Sequence, residues 1–484
     1  MMEWIIAILY TSSLFYLFLF SLGQLHLTYI YLKRKKDKKA ITQPPFEPHV
    51  TIQLPVFNEK YVVERLIEAV TKIDYPPEKL EIQILDDSTD ETSGIIYQKL
   101  EWIKRYTLDI KHIHRENRTG YKAGALEEGL RTAKGEFIVI FDSDFIPDED
   151  FLKKTLPHFT DAAIGVVQTR WGHINKDYSL MTQLQAFGLD AHFSIEQSAR
   201  NEAGIFINFN GTCGVWRKAC ILDAGGWSFD TLTEDLDLSY RAQLKGWKFK
   251  YLEDVVTPGE LPVVMPVIKL QQYRWNKGAA ETARKLIGKI IHSDLSALQK
   301  IHAFLHLFNS SVFVALFLAA LLSLPMLYIK NNFPAIQILY NIGTICLLGF
   351  LSVAIFYWTA TRRFHSNANR KFFVLFPAFL IVSMGLSLHN SVAVIEGWLG
   401  IKTPFVRTPK FNIVGKHDPW LDNAYLNPNL NLITLLEGIL CVCFTFGIVK
   451  GLQMNDPALL IFHAMLALGF GTVFLLSIKP WANA

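Results

Sequence analysis

Two acidic clusters in the sequence could hold a divalent cation. Asp86 and Asp87 follow one apolar run, and Asp142 and Asp144 follow another, with a single serine between them. Mg²⁺ and Mn²⁺ prefer oxygen ligands and are often shared with the phosphates of a substrate. Such a cation compensates the negative charge that a departing diphosphate concentrates on oxygen. We therefore predict that Asp142 and Asp144 bind Mg²⁺ or Mn²⁺. The alternative is a turn in which both carboxylates accept local backbone hydrogen bonds.

Two further motifs lie downstream of these clusters. Thr233-Glu234-Asp235 lies at the start of a predicted helix, where the acidic side chains could simply stabilise the positive end of the helix dipole. A buried Asp235 could equally act as the general base that takes a proton from an acceptor hydroxyl. Gln271-Gln272-Tyr273-Arg274-Trp275 lies in a basic, amphipathic segment. Its arginine could grip diphosphate oxygens, and its tryptophan could stack against a sugar ring. An anchor at the membrane surface is the alternative, and the two roles are compatible.

Composition and motifs exclude several classes of protein. The net charge of +4 over 484 residues is too small for a nucleic-acid binder, so no nucleic-acid partner is expected. The five cysteines show neither zinc spacing nor a redox pair. The glycine-containing turn at residues 115–124 includes Lys122 and offers an anion site. It lacks the phosphate-loop pattern, which disfavours a nucleotide triphosphatase.

The sequence predicts an α/β scaffold for these residues. Strand-like and helix-like runs alternate, which indicates a mostly parallel sheet covered by helices on both faces. In such sheets ligands bind beyond the carboxyl ends of the strands, so both acidic clusters are expected on one rim. The predicted strands are His49–Leu54, Glu81–Leu85, Ile110–His114 and Glu136–Phe141, and the predicted helices are Tyr61–Ile73, Ser93–Tyr106 and Lys122–Ala133.

Apolar segments flank this domain. No charged residue occurs between Glu3 and Lys33, and a helix of this length can cross a hydrocarbon layer of about 30 Å. The basic run from Lys33 to Lys39 should stay on the cytoplasmic side. About five further apolar segments follow in the C-terminal half, one of which contains Glu437. We predict an integral membrane protein with a cytoplasmic domain.

The number of true spans is open at this point. The loops at residues 362–371 and 401–426 are both basic and both favour the cytoplasm, yet one apolar segment separates them. Gly385, His389 and Asn390 lie near its middle, so it could be a span or a re-entrant hairpin. The predicted divisions are an anchor at 1–32, an α/β domain at 42–262, an interface segment at 263–300 and a transmembrane region at 301–484.

The ordered motifs, ahead of a membrane bundle, resemble those of membrane-bound family 2 glycosyltransferases. The chain is similar to the cellulose and hyaluronan synthase group and, more closely, to cellulose-synthase-like A and C proteins. The closer likeness rests on Leu85–Asp90, Tyr121–Leu126, Phe209–Thr212, Gly214–Arg217 and Lys245–Phe249. The resemblance covers roughly residues 45–290. It implies a GT-A-type, Rossmann-like α/β fold for the cytoplasmic domain, beside an α-helical transmembrane bundle.

The resemblance also implies a role for each motif. Asp86 or Asp87 would contact the nucleotide base and ribose, and Lys122 would lie near the nucleotide. Asp142 and Asp144 would hold the diphosphate through the cation. Asp235 would be the general base. In the last motif Gln271 would bind the nucleotide sugar with Arg274, which steadies the leaving diphosphate, and Trp275 would stack under the acceptor sugar.

The implied enzyme is an inverting, metal-dependent hexosyltransferase that polymerises a β-1,4-linked glycan and passes it through the bundle. Mannan, glucomannan and glucan all fit, so the donor is GDP-mannose or UDP-glucose. The alternative is a glycolipid synthase that adds one hexose to ceramide or diacylglycerol. Membrane lipids and the growing glycan or lipid acceptor are the expected partners. A bacterial inner membrane and a Golgi membrane both fit.

One segment departs from the family pattern. Cellulose synthases carry a Phe-x-Val-Thr-x-Lys loop that closes over the nucleotide. Here Phe405, Thr408 and Lys410 align with that loop, but Arg407 replaces its valine. The segment is either this gating loop or a plain basic loop. Glu437 is expected either to line a glycan path or to lie near the membrane surface.

Overall fold

The computed structural model describes residues 1–34, 46–103, 108–415, 418–420, 423–426 and 431–482. The basic run predicted to follow the first apolar segment therefore lies outside the described residues from Lys35 onward. The end of the helix predicted to reach Tyr106, and parts of the loop predicted at 401–426, lie outside them as well.

A seven-stranded mixed sheet organises the N-terminal half, in the order β3-β2-β1-β4-β6-β5-β7. β1 pairs in parallel with both β2 and β4, whereas β6 runs antiparallel to β4 and β5. The predicted series of parallel strands is thus confirmed for β1 to β4. The strands are Val50–Val56 (β1), Leu80–Asp86 (β2), Asp109–His114 (β3), Phe137–Ile140 (β4), Ile164–His173 (β5), Gly214–Arg217 (β6) and Lys248–Gly259 (β7).

The sheet separates two hydrophobic cores. Phe137 and Val139 of β4 pack into one core, and Ile138 and Ile140 pack into the other. All four side chains are fully buried, because helices cover both faces of the sheet. The helices of this domain are Val63–Thr71 (α2), Thr92–Ile103 (α3), Tyr121–Thr132 (α4), Phe151–Thr155 (α5), Leu180–Ala191 (α6), Gln197–Glu202 (α7), Lys218–Asp223 (α8) and Glu234–Leu244 (α9), after the N-terminal helix Met2–Lys33 (α1).

In the part of the chain that the structure describes, the regular secondary structure after β7 is helical. Six apolar helical segments in the described part of the chain are long enough to cross a membrane, at residues 2–33, 311–332, 334–364, 368–385, 432–453 and 457–479. The helices are Met265–Ile291 (α10), Ala297–Leu307 (α11), Ser311–Asn332 (α12), Gln337–Cys346 (α13), Gly349–Phe364 (α14), Ala368–Gly385 (α15), Ser387–Leu399 (α16), Leu432–Gln453 (α17) and Leu460–Ala482 (α18).

The segment α15–α16 folds back on itself. Before it, Arg363 donates to Asp254 of β7 at 2.8 Å. After it, Lys410 donates to Asp144 at 2.6 Å, so both ends of the segment lie against the α/β domain. The return arm packs on α10, where the His389 ring nitrogen Nε2 lies 2.9 Å from the carbonyl oxygen of Lys269. The segment thus leaves the α/β domain and returns to it, and its first arm, Ala368–Gly385, is long enough to cross a membrane.

Glu437 anchors α17 to α10. It is fully buried and accepts a hydrogen bond from the Lys269 ammonium at 2.9 Å. The same ammonium also donates to the Thr434 hydroxyl at 3.3 Å. Glu437 is absent from the residues that line the cavity described below. The buried ion pair therefore links α17 to α10, and a position on a glycan path and one near the membrane surface both stay predictions for Glu437.

This pairing predicts a non-additive effect on stability. Lys269→Met leaves the Glu437 carboxylate buried without its cation, which should cost about 3 kcal/mol. The double variant Lys269→Met/Glu437→Leu removes both charges and should recover most of that loss. Thermal unfolding of purified protein in detergent measures both. Equal melting temperatures for the single and double variants would contradict the prediction.

Candidate active site

A cavity at the carboxyl edge of the sheet collects most of the residues that the sequence singled out. It lies between the end of β4, the start of α9, the first half of α10 and the loop after α16. Seven of the nine predicted site residues line it, namely Lys122, Asp142, Asp144, Asp235, Gln271, Arg274 and Trp275. Residues more than 150 positions apart in the sequence therefore share one site.

Asp142 and Asp144 are each paired with an ammonium group. Lys122 donates to Asp142 at 2.5 Å, and Lys410 donates to Asp144 at 2.6 Å. Burial lowers the pKa of Lys122, but Asp142 and Glu234 outweigh it, so the pKa lies above its ordinary value. Positive charge is thus placed beside both carboxylates. Two carboxylates on one strand end, in a site already built to hold cations, fit an oxygen-ligated divalent ion.

Asp86 and Asp87 have different surroundings. Asp87 lines an adjoining cavity that shares Asp142 and Asp144 with the first, and Arg115 donates to both of its carboxylate oxygens, at 2.7 and 2.6 Å. Asp86 lines neither cavity and is fully buried behind the rim. It accepts from Ser93 at 2.6 Å and lies 2.8 Å from a ring nitrogen of His112. Of the two residues, only Asp87 therefore faces a cavity.

Asp235 lies where α9 begins. The backbone N–H of Leu236 donates to it at 2.8 Å. Burial and the neighbouring carboxylate of Glu234 raise the pKa of Asp235 to about 7. Gly211 approaches it closely, since a Cβ there would lie 3.0 Å from the Asp235 carboxylate. With a pKa near neutrality, this carboxylate is suited to accept a proton.

The helix α10 presents Arg274 and Trp275 to the cavity and holds the Asp235 segment in place. A Cβ at Gly278 would lie 2.5 Å from the Thr233 side chain, so only glycine permits this approach. Burial lowers the pKa of Arg274 below its ordinary value, and the charges of Glu234 and Asp142 offset only part of this effect. A buried guanidinium group in this cavity is suited to bind the oxygen atoms of an anionic group by charge-assisted hydrogen bonds.

The loop after α16 closes one side of the site. Arg274 donates to Thr408 at 2.9 Å, and the Phe405 ring stacks on Tyr121 with centroids 5.3 Å apart. With Lys410 on Asp144, three residues that align with the gating-loop pattern contact the site. The substituted residue does so as well, since Arg407 pairs with Glu59 at 2.9 Å. A plain basic loop would not make these contacts.

Sequence reasoning missed Glu59 and gave no separate role to Arg118. Both line the adjoining cavity. Burial raises the pKa of Glu59 to about 7, against the opposing charges of Arg407 and Lys410. Arg118 lies over the Phe57 ring at 3.3 Å. The available signal for Glu59 was its position just beyond the carboxyl end of β1, the edge to which the acidic clusters were assigned.

Comparison with known proteins shows the family to which the chain belongs. The family profile described as "Glycosyltransferase like family 2" matches residues 48–278. A glucomannan 4-beta-mannosyltransferase 7 from Arabidopsis thaliana is 35% identical over 444 residues, which cover 88% of this chain and 77% of that protein. The chain belongs to the family 2 glycosyltransferases. Its predicted family, and its predicted class as a hexosyltransferase, are confirmed.

Other relatives align over a shorter part of this glycosyltransferase. A glucomannan 4-beta-mannosyltransferase 1 from Oryza sativa subsp. japonica is 42% identical over 267 residues. That match covers 54% of this chain, which spans about half (51%) of the rice protein's length. Of these two matches, the one with the higher identity is the shorter, at 267 residues.

A solved structure confirms the fold class. The mannosyltransferase from Pyrobaculum calidifontis, determined in complex with GDP-Man and Mn²⁺, matches with a TM-score of 0.54 at 20% identity. The match covers 83% of this chain and 100% of that chain. The GT-A-type α/β domain is confirmed, and the apolar helices identify the glycosyltransferase as an integral membrane protein.

Proposed function

We propose that the enzyme transfers mannose from GDP-mannose to a growing β-1,4-linked mannan or glucomannan. One observation carries the proposal: a single cavity contains the paired carboxylates Asp142 and Asp144, the buried Asp235 and the flat face of Trp275. This set serves cation binding, proton removal and sugar stacking together. The relatives from Arabidopsis and rice, both mannosyltransferases by name, favour mannose over glucose.

The proposed reaction is a single in-line displacement. Asp235 takes the proton from the acceptor hydroxyl as its oxygen attacks the anomeric carbon of the donor sugar. The C–O bond to the diphosphate breaks, and the electron pair leaves with GDP. The anomeric centre inverts, so an α-linked donor gives a β-linkage. Since Asp235 acts on the acceptor and not on the sugar, no covalent sugar–enzyme intermediate forms.

The remaining residues act on the leaving group. Asp142 and Asp144 would hold Mn²⁺ or Mg²⁺, which supplies charge compensation for the diphosphate when bound. Lys122 and Arg274 place fixed positive charges beside the same position. Lys410, on the closed loop, is suited to move from Asp144 to the diphosphate. The charge that develops on the leaving oxygen is thus met by groups already oriented.

We place the catalytic domain in the cytoplasm. Arg362, Arg363, Arg370 and Lys371 lie around the turn between α14 and α15, and a basic turn favours that side. Arg363 also pairs with Glu253 and Asp254 of the catalytic domain, so turn and domain share a side. Cytosolic nucleotide sugar would then reach the site directly, and the polymer would leave through the bundle beside α10.

Radiolabel transfer by purified, lipid-reconstituted enzyme tests the function. The assay compares GDP-mannose with UDP-glucose, each with Mn²⁺ or Mg²⁺, and digests the products with β-mannanase or β-1,4-glucanase. We expect high-mass label from GDP-mannose that β-mannanase releases. High-mass label from UDP-glucose alone would overturn the choice of donor. Label found only in extractable lipid would overturn polymer synthesis and favour the glycolipid alternative.

A further inference from the structure

A second, separate cleft lies at the turn between the apolar helices α14 and α15. It has a volume of about 690 Å³ and is lined by Trp358, Arg362, Arg370 and the residues of the turn between them. None of its lining residues lines either cavity of the active site. The cleft is therefore separate from the active site.

The positive charge of this cleft is not compensated by an ion pair among the residues that the structure describes. Its lining includes two arginines and no carboxylate. Arg363, between them in the sequence, is directed instead to Glu253 and Asp254 of the catalytic domain. Within the described residues, neither Arg362 nor Arg370 forms an ion pair. Two guanidinium groups in one concave site, both free to bind, fit an anion that carries several oxygen atoms.

The cleft also has fixed polar geometry. The Arg362 guanidinium lies over the Trp358 ring, 4.8 Å from its centroid. The Trp358 indole N–H in turn donates to the side-chain oxygen of Asn369 at 3.3 Å, which ties the end of α14 to the start of α15. The first N–H groups of α15, an 18-residue helix, have no acceptor within the helix and add partial positive charge at the cleft.

The surroundings identify where the anion comes from. Phe373 and Val374 follow Arg370 within about one turn of α15, and both are largely exposed. Phe350, Leu351 and Ile355 are exposed along α14. An apolar surface thus continues from the cationic cleft along two membrane-length segments. A free phosphate would use only the cleft, whereas a phospholipid would use the cleft and the apolar surface together.

We propose that this cleft binds the phosphate headgroup of an anionic phospholipid. Arg362 and Arg370 hold the phosphate oxygens, Trp358 lies at the level of the headgroup, and the acyl chains run along α14 and α15. The location fits the cytoplasmic leaflet, where anionic lipids provide the ligand. The inference depends on no property of the donor sugar.

Lipid retention by the full-length purified enzyme tests the proposal. Protein in detergent is equilibrated with phosphatidylglycerol or phosphatidylcholine, and bound lipid is quantified by mass spectrometry. We expect preferential retention of phosphatidylglycerol, weakened about tenfold in Arg362→Gln/Arg370→Gln, because two charge-assisted hydrogen-bonding groups are lost. The matched control is Arg131→Gln/Lys134→Gln, which removes the same net charge from exposed positions on the catalytic domain.

The other outcomes each decide against the proposal. Equal retention by the cleft variant and the control would overturn it, as would equal retention of the two lipids by the wild type. Soluble glycerol phosphate serves as a further arm. If it binds as tightly as phosphatidylglycerol, the cleft is a site for free phosphate and not for lipid. Arg370→Gln alone, at an exposed position, gives a second variant should the double one fail to fold.

Discussion

Asp235→Asn lowers kcat/KM for sugar transfer by about 10³-fold and leaves nucleotide-sugar binding close to that of the wild type. The amide has the shape of the carboxylate but cannot accept the proton of the acceptor hydroxyl, and general-base catalysis contributes about 10²- to 10⁴-fold in enzymes. Initial rates of label transfer, with binding of the donor measured separately, give the two quantities.

The matched control for this substitution is Asp177→Asn, an exposed carboxylate outside the cavity. It should retain wild-type turnover. A comparable loss in the control would assign the effect to general destabilisation. Retained turnover in Asp235→Asn, with normal folding, would remove Asp235 from the role of base.

The pH dependence of the reaction follows from the same residue. The proton must be absent from Asp235 for catalysis, and burial with the charge of Glu234 raises its pKa to about 7. The pH dependence of kcat/KM reports the pKa values of groups in the free enzyme. We therefore expect kcat/KM to fall about tenfold for each pH unit below 7 and to level off above pH 7. Residual kcat/KM of Asp235→Asn should lack this acid limb. A wild-type profile that stays flat down to pH 5 would contradict the assignment.

Much of the α/β domain could be predicted because its signals are local. Strands such as Phe137–Ile140 are continuous apolar runs, and the acidic residues directly after them fall on the sheet edge that binds ligands. β6 was harder to recognise, because Gly214–Arg217 is only four residues long and its antiparallel direction depends on its neighbours β4 and β5. The four residues of β6 do not by themselves indicate whether the strand runs parallel or antiparallel to its neighbours.

The parts that sequence could not supply are those made by distant contacts. The pair between Glu59 and Arg407 joins residues almost 350 positions apart, and neither residue indicates the other. The helix Ala368–Gly385 (α15) has the length and composition of a span, so composition leaves both topologies open. The structure adds a contact that composition does not indicate: a Cβ at Gly385 would lie 2.2 Å from the carbonyl oxygen of Gly469, so the approach of α15 to α18 requires glycine.

Asp144→Asn should lower turnover by about 10²- to 10³-fold, and added Mn²⁺ should not restore it. The substitution removes a negative oxygen ligand from the proposed cation site, and charge compensation of the leaving diphosphate is lost with it. Activity across a Mn²⁺ titration and Mn²⁺ binding by electron paramagnetic resonance provide two readouts. Asp148→Asn, an exposed carboxylate in the same segment, is the control and should behave as wild type.

Lys410→Met separates the two roles of the loop, because the change should have opposite effects on cation binding and on catalysis. In the closed site the Lys410 ammonium donates to Asp144 and occupies the carboxylate that the cation needs. Without nucleotide, Lys410→Met should therefore bind Mn²⁺ more tightly than the wild type. Its turnover should fall, since Lys410 no longer compensates the diphosphate. Weaker Mn²⁺ binding in Lys410→Met would show that the lysine supports the cation site instead of competing for it. The mechanism would then no longer include a movement of Lys410 from Asp144 to the diphosphate.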